Sequence, residues 1–210
     1  MLAVITAGAA RAADSTFQTN LRLLYATRHS DGKGIDRALQ DGASINFRNR
    51  KGETSLLTLL KKKRFGLAQT LLDRGADVNQ AAINGVTPLM AAVYADNADF
   101  VKKLLDKGAD AAATDRVGKG AMTYAAGEGN TDIVKLLLAH GVDPNAVYRN
   151  NLTALMWAAG YGKTDTVRAL LDAGARSDLV DNRGKTALDM AREFRHPPTV
   201  AVLQAAVTKP

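Results

Sequence analysis

No cysteine occurs among the 210 residues. That excludes disulfides, thiolate-held metals and a cysteine nucleophile, and it is compatible with any redox compartment. No apolar run approaches the roughly 18–20 residues that a bilayer-spanning helix needs, so no membrane span is expected. Histidine is scarce, with three residues, His29, His140 and His196. They share no metal-ligand spacing and no nucleophile–base pattern. Carboxylates are scattered, and no close pair can be argued. The glycine-rich pieces Gly32-Lys33-Gly34 and Gly127-Glu128-Gly129 lack the spacing of a phosphate loop and its Lys before Ser or Thr. They read as turns between helices. No catalytic residue, metal site or cofactor is assigned, and the chain is not expected to be an enzyme.

Positive charge is in excess. Lys and Arg number 28 against 21 Asp and Glu, a formal net charge of +7. Such a surface attracts acidic proteins, nucleic acid or anionic lipid at long range, but charge alone fixes neither fold nor partner. The densest run is Lys61-Lys62-Lys63-Arg64.

The N-terminal end is apolar. Leu2 to Ala10 reads LAVITAGAA, and Ala10-Arg11-Ala12 places small residues where a signal peptidase cleaves. No Lys or Arg precedes the run. Residues 1–12 are therefore expected to be a truncated export signal cut after Ala12, which makes the protein periplasmic or secreted. The alternative is an apolar helix that covers the first repeat of a cytoplasmic protein.

The strongest signal is a period. Gly42, Gly75, Gly108, Gly141 and Gly174 recur every 33 residues. A second column keeps the same step, with Gly52, Gly85, Gly118, Asn151 and Gly184. A third is apolar, with Ala38, Leu71, Leu104, Leu137, Leu170 and Leu203. Beside it run Leu39, Leu72, Leu105, Leu138, Leu171 and then Gln204.

One unit can be read physically. Thr87 is an N-cap for a helix that opens with Pro88, at a position where a missing N–H costs nothing. Ala91 and Ala92 allow close approach of neighbours. Asp96 and Asn97 turn the chain. Phe100, Val101, Leu104 and Leu105 then set a second helix over about 99–107. Gly108 ends it in the left-handed region. The stretch to Val117 has no helical period and reads as a loop. A helix pair of this kind cannot bury its own apolar face, whereas stacked pairs can.

These residues resemble the ankyrin repeat family, whose period is 33 and whose first helix opens with Thr-Pro-Leu-His. The resemblance covers 19–210, as units 19–51, 52–84, 85–117, 118–150, 151–183 and 184–210. It implies an all-α fold, a solenoid of about six stacked helix-turn-helix units joined by long β-turn loops. There are departures. The family's His is replaced by Leu57, Met90, Thr123, Met156 and Asp189. Gly120 stands where a capping Thr is expected, which weakens that cap by a few tenths of a kcal/mol. The first unit is degenerate, as terminal repeats often are. Trp157 falls at a position read as core between repeats, with a binding anchor as the alternative.

The resemblance further implies a non-catalytic module that binds a protein through its loop tips and first helices. The positions that carry the binding face map onto Arg50, Lys51, Lys61 and Lys62 in the second unit. In the third to fifth they map onto Ile83, Val86, Tyr94, Arg116, Val117, Lys119, Arg149, Leu152 and Tyr161. Ile83, Val86, Tyr94, Val117, Leu152 and Tyr161 are expected to form an exposed apolar strip between basic ends. The alternative is an electrostatic binder of an anionic partner (nucleic acid, anionic lipid or acidic protein) through the basic second unit. Nucleic acid is the less favoured of these, because Phe65 is the one aromatic near the basic run. A monomer is expected.

Overall fold

The computed structural model describes residues 2–207, and the side chains of 15–206. Met1 of the expected export segment 1–12 lies outside the described residues, and so do all of that segment's side chains.

Twelve α-helices occur among the described residues. They are α1 (Leu2–His29), α2 (Gly32–Gln40), α3 (Ser55–Lys61), α4 (Phe65–Asp73), α5 (Pro88–Tyr94) and α6 (Ala98–Asp106), then α7 (Ala121–Glu128), α8 (Thr131–Ala139), α9 (Ala154–Gly160), α10 (Thr164–Asp172), α11 (Ala187–Glu193) and α12 (Pro197–Val207). The single β pairing among those residues is an isolated bridge between Thr114 and Gly120. No helix is long and apolar enough to cross a membrane among the described residues.

The contacts divide the chain into two compact units, one ending at Asn84 and one beginning at Gly85. The division falls on a repeat boundary read from the sequence. In the first unit α1 packs on α2 and on α3, and α3 packs on α4. In the second unit the first helices α5, α7, α9 and α11 pack each on the next. The second helices α6, α8, α10 and α12 do the same. Four helix pairs are thus stacked in register.

The apolar columns account for the stacking. Ala38, Leu71, Leu104, Leu137, Leu170 and Leu203 are all buried. Truncating one such Leu to Ala removes about 2–5 kcal/mol. In the neighbouring column Leu72 and Leu105 are buried, Leu39, Leu138 and Leu171 are half-buried, and Gln204 is exposed at the end of the stack. The glycines that end the second helices have φ from 82° at Gly75 to 91° at Gly42, where a side chain would be strained. Polar rungs add to the apolar ones. The hydroxyls of Thr131 and Thr166, and of Thr164 and Thr199, meet at 2.8 Å between successive repeats.

The first helices open on threonine caps. The hydroxyl oxygens of Thr54, Thr87, Thr153 and Thr186 accept from the backbone N–H of Leu57, Met90, Met156 and Asp189 at 3.2–3.3 Å. At the family's His position Leu57, Met90 and Met156 are buried as packing residues. The other two restore a hydrogen bond. Thr123 donates to Gly120 O at 2.8 Å, and the Asp189 carboxylate accepts from Thr186 N at 3.0 Å to close a capping box.

Gly120 has a specific cause. A Cβ at this position would lie 2.9 Å from the Tyr148 ring and 3.3 Å from Ala113 O. The threonine cap is absent because a tyrosine from the next loop occupies its place.

Residue 19 falls inside α1, which runs from Leu2 to His29. Two readings need correction. Gly32 to Gly34 form the first turn of α2, where Asp31 caps by accepting from Gly34 N at 3.0 Å. Gly127 and Glu128 lie within α7, and Gly129 ends it at φ 84°. Both glycine-rich pieces are therefore helix ends and not turns between helices.

Candidate partner-binding groove

The exposed sides of the first helices in the second unit carry an aromatic cluster. Tyr124 of α7 and Trp157 of α9 hold equivalent positions one repeat apart, and both are half-buried. Tyr161 and Phe194 follow α9 and α11 and are 57% and 54% exposed. Each lies against a glycine of the preceding repeat. A Cβ on Gly127 would stand 3.7 Å from the Tyr161 ring, and one on Gly160 3.8 Å from the Phe194 ring. Small residues at these positions leave room for a ring from the next layer.

Between α9 and α11 this arrangement leaves an open cavity of about 490 Å³. Its lining includes Leu152, Met156, Trp157, Tyr161, Met190 and Phe194, together with Gly160, Arg183 and His196. Arg183 is the formally charged residue in it. Pockets of this size and apolar character, with a few polar groups, are common ligand and side-chain receptors.

Trp157 is the centre of the cluster. Its ring stacks on Tyr161 with centroids 5.9 Å apart and planes 8° from parallel. The ammonium of Lys119 lies 4.3 Å from the indole centroid and 5.6 Å from that of Tyr124. Trp157 Nε1 is buried and has no acceptor among the described residues. Leaving such a donor unpaired costs about 1–3 kcal/mol.

The surrounding loops are fixed by carboxylates. Asp115 Oδ1 accepts from Val117 N and Lys119 N at 2.9 Å, and Oδ2 accepts from Tyr124 Oη at 2.6 Å. Burial, and then the hydrogen bond and charge of Asp115, push the Tyr124 phenol up to about 12. Asp181 repeats the motif. Its Oδ1 accepts from Arg183 N and Lys185 N, and its Oδ2 pairs with Arg183 Nε at 2.8 Å. Burial acts to raise the Asp181 carboxyl, but the hydrogen bonds from Lys185 and Arg183 outweigh it and hold it below the ordinary range. His196 Nε2 donates to Gly160 O at 3.0 Å, which ties α12 to the end of α9.

Of the residues expected at the binding face, the second unit holds Val86, Tyr94, Arg116, Val117, Lys119, Arg149, Leu152 and Tyr161. Tyr94 is 69% exposed, and Val117, Arg116 and Arg149 are exposed too. Val86 and Leu152 are half-buried and not exposed as expected, and Lys119 is half-buried on Trp157. Leu152 and Tyr161 meet at the groove.

The first unit holds Arg50, Lys51, Lys61, Lys62 and Ile83, all exposed. The basic run is less free than the sequence suggests. Lys61 Nζ pairs with Glu53 Oε1 at 2.6 Å, and Lys62 Nζ donates to Arg28 O.

Trp157 is half-buried in the groove and is not part of the core between repeats. A signal for this was present. Trp157 precedes Tyr161 by one helical turn, and residues four apart share a helix face. The partners Lys119 and Met190 come from other repeats and carry no such signal.

These features define a helical-repeat protein with a preformed apolar groove on the exposed side of its first helices. A family model described as ankyrin repeats in three copies matches residues 23–115 and 122–208, and the chain belongs to the ankyrin repeat family. No curated protein matches the chain. Ankyrin repeats are in general protein–protein interaction modules, and proteins built from them are typically non-catalytic.

Proposed function

We propose that this chain is a monomeric, non-catalytic module that binds a protein partner through the Trp157–Tyr161–Phe194 groove. The partner inserts a bulky apolar side chain, while Lys119 favours an acidic flank. One observation carries the reading. Trp157 is kept half-open beside a cavity although its Nε1 is buried without an acceptor. An ordinary core residue would fill such space without an unpaired donor. Aromatic anchors of this kind dominate the energy of protein interfaces.

Cross-linking tests the reading. A photoreactive amino acid in place of Tyr161 should trap one partner, and the same group in place of exposed Lys135 on α8 should not. Tyr161→Ala should weaken that partner's binding by about 2 kcal/mol or more, as for an interface hot spot. Undiminished binding would remove the groove from consideration.

The electrostatic alternative through Lys61 to Arg64 is weakened at Lys61, whose charge Glu53 offsets, while Lys62 keeps its charge on the Arg28 carbonyl. We further propose that the partner is met outside the cytoplasm, in the periplasm or after secretion. The support is the apolar Leu2–Ala10 run before Ala10-Arg11-Ala12. Sequencing the N-terminus of protein from fractionated cells tests this. A retained Met1 in the cytoplasmic fraction would refute export.

A further inference from the structure

The first unit carries a cavity of about 600 Å³ that is separate in character from the aromatic groove. Tyr25 and Arg28 of α1, Asn49, Arg50 and Lys51 of the following loop, and Glu53 line it. Arg28, Arg50 and Lys51 are exposed, and none makes an ion pair within 4 Å among the described residues. Glu53 is the carboxylate in the lining, and it is already committed. Its Oε1 accepts from Lys61 Nζ at 2.6 Å and its Oε2 from Asn49 Nδ2 at 3.0 Å. Burial acts to raise its carboxyl, but those hydrogen bonds outweigh burial and keep it ionised. Glu53 therefore offsets mainly Lys61. Lys62 is drawn away to the Arg28 carbonyl. Three cations remain around one concavity, where the one carboxylate, Glu53, shares its charge between Lys61 and Lys51 and leaves a net positive excess.

Like charges gathered this way repel one another and concentrate a positive potential in the cleft. Two are guanidiniums, whose planar forks match carboxylates in paired hydrogen bonds. The aromatic at the site, Tyr25, is already occupied, because its ring packs on His29 with centroids 4.1 Å apart. A row of free rings on which bases could stack, as single-stranded nucleic acid requires, is not offered by this lining. We propose that this cavity is a second binding site, which takes a carboxylate-rich peptide segment of a protein through Arg28, Arg50 and Lys51. It does not depend on the groove at Trp157.

The test uses the full chain and a fluorescein-labelled peptide of alternating Glu and Gly, followed by fluorescence anisotropy over a salt series. Saturable binding is expected, weakened about tenfold by Arg50→Glu with Lys51→Glu, the scale of losing charge-assisted contacts. Arg28→Ala alone should weaken it several-fold. Lys33→Glu with Arg37→Glu makes the same change of charge on α2, outside this lining, and should have a much smaller effect. Tyr161→Ala should have none, which separates this site from the groove. Three results overturn the proposal. One is no peptide binding. Another is equal loss in both charge-reversed pairs, which would mean attraction to net charge alone. The third is tighter binding of a thymidine oligonucleotide that Arg50→Glu with Lys51→Glu abolishes.

Discussion

Trp157 and Tyr161 stack one helical turn apart, nearly parallel, with centroids separated by 5.9 Å. The pairing makes a residue of α9 and the residue that caps its end into a single aromatic wall. Because Tyr161 also lies against Gly127 of the preceding repeat, the wall is anchored in two layers. A preformed wall loses little freedom when a partner docks, which favours affinity.

Trp157→Phe separates the roles of the indole. The substitution keeps an aromatic ring and removes the buried, unpaired N–H, whose penalty is about 1–3 kcal/mol. Some contact area is lost as well. Urea unfolding should show stability no lower than that of the parent chain, while the cross-linked partner should bind more weakly. Marked destabilisation with unchanged binding would return Trp157 to the core.

Gly120 and Tyr148 should show strong coupling. Thr at residue 120 alone restores a capping hydroxyl but drives its Cβ to 2.9 Å from the Tyr148 ring. Gly120→Thr should therefore destabilise, by about 1–3 kcal/mol as for other overpacked sites. Residues equivalent to Tyr148 in the third and last loops are Asp115 and Asp181, which close the loop through backbone N–H groups. With Tyr148→Asp in place, Gly120→Thr should become neutral or stabilising. A double-mutant cycle measured by urea unfolding reads the difference directly. Additive effects would show that the two residues do not contact.

This pair also marks the limit of what could be read from the sequence. The glycine, leucine and threonine columns are legible because each repeat poses the same local problem, how to begin a helix, end it and bury one stripe. Gly120 was legible as a departure but not as a consequence, because its cause lies in the next repeat's loop. The same holds at the binding face. Register alone places Tyr94 and Tyr161 on the exposed side of the first helices, and the helical spacing of Trp157 from Tyr161 places it beside them. The pairing of Lys61 with Glu53 depends on side-chain geometry across a loop and a helix, which no period encodes.

Alkaline pH should weaken the fold through Tyr124. Its phenol stands near 12 in the folded chain against an ordinary value of 10.0, chiefly from burial and then from Asp115. A proton held more tightly by the folded state stabilises it fully below pH 10.0, and that contribution fades as pH rises from 10.0 through about 12. Tyr148 shifts in the same direction, through burial and then the charge of Asp143. Tyrosinate absorbance during a titration should show a late-ionising class, and Tyr124→Phe should remove the part near 12. Stability of Tyr124→Phe should fall less steeply over that interval than that of the parent chain.

Gly160→Tyr tests the groove without removing any of its anchors. Gly160 ends α9 with an ordinary helical backbone, and a Cβ there would make normal contact with Phe194 at 3.8 Å. Tyr94 holds the equivalent position at the end of α5, so the repeat tolerates a phenol in this register. The added ring would project beside a cavity of about 490 Å³ that Trp157, Tyr161 and Phe194 also line. The chain should fold as before, with the melting transition retained and partner binding lost because the receptor is filled. Gly160→Ala is the control. It leaves the cavity nearly intact and should gain up to about 0.5–1 kcal/mol, since alanine loses less conformational freedom in a helix than glycine. If the tyrosine variant folds and binds its partner with unchanged affinity, the groove between α9 and α11 is not where that partner docks.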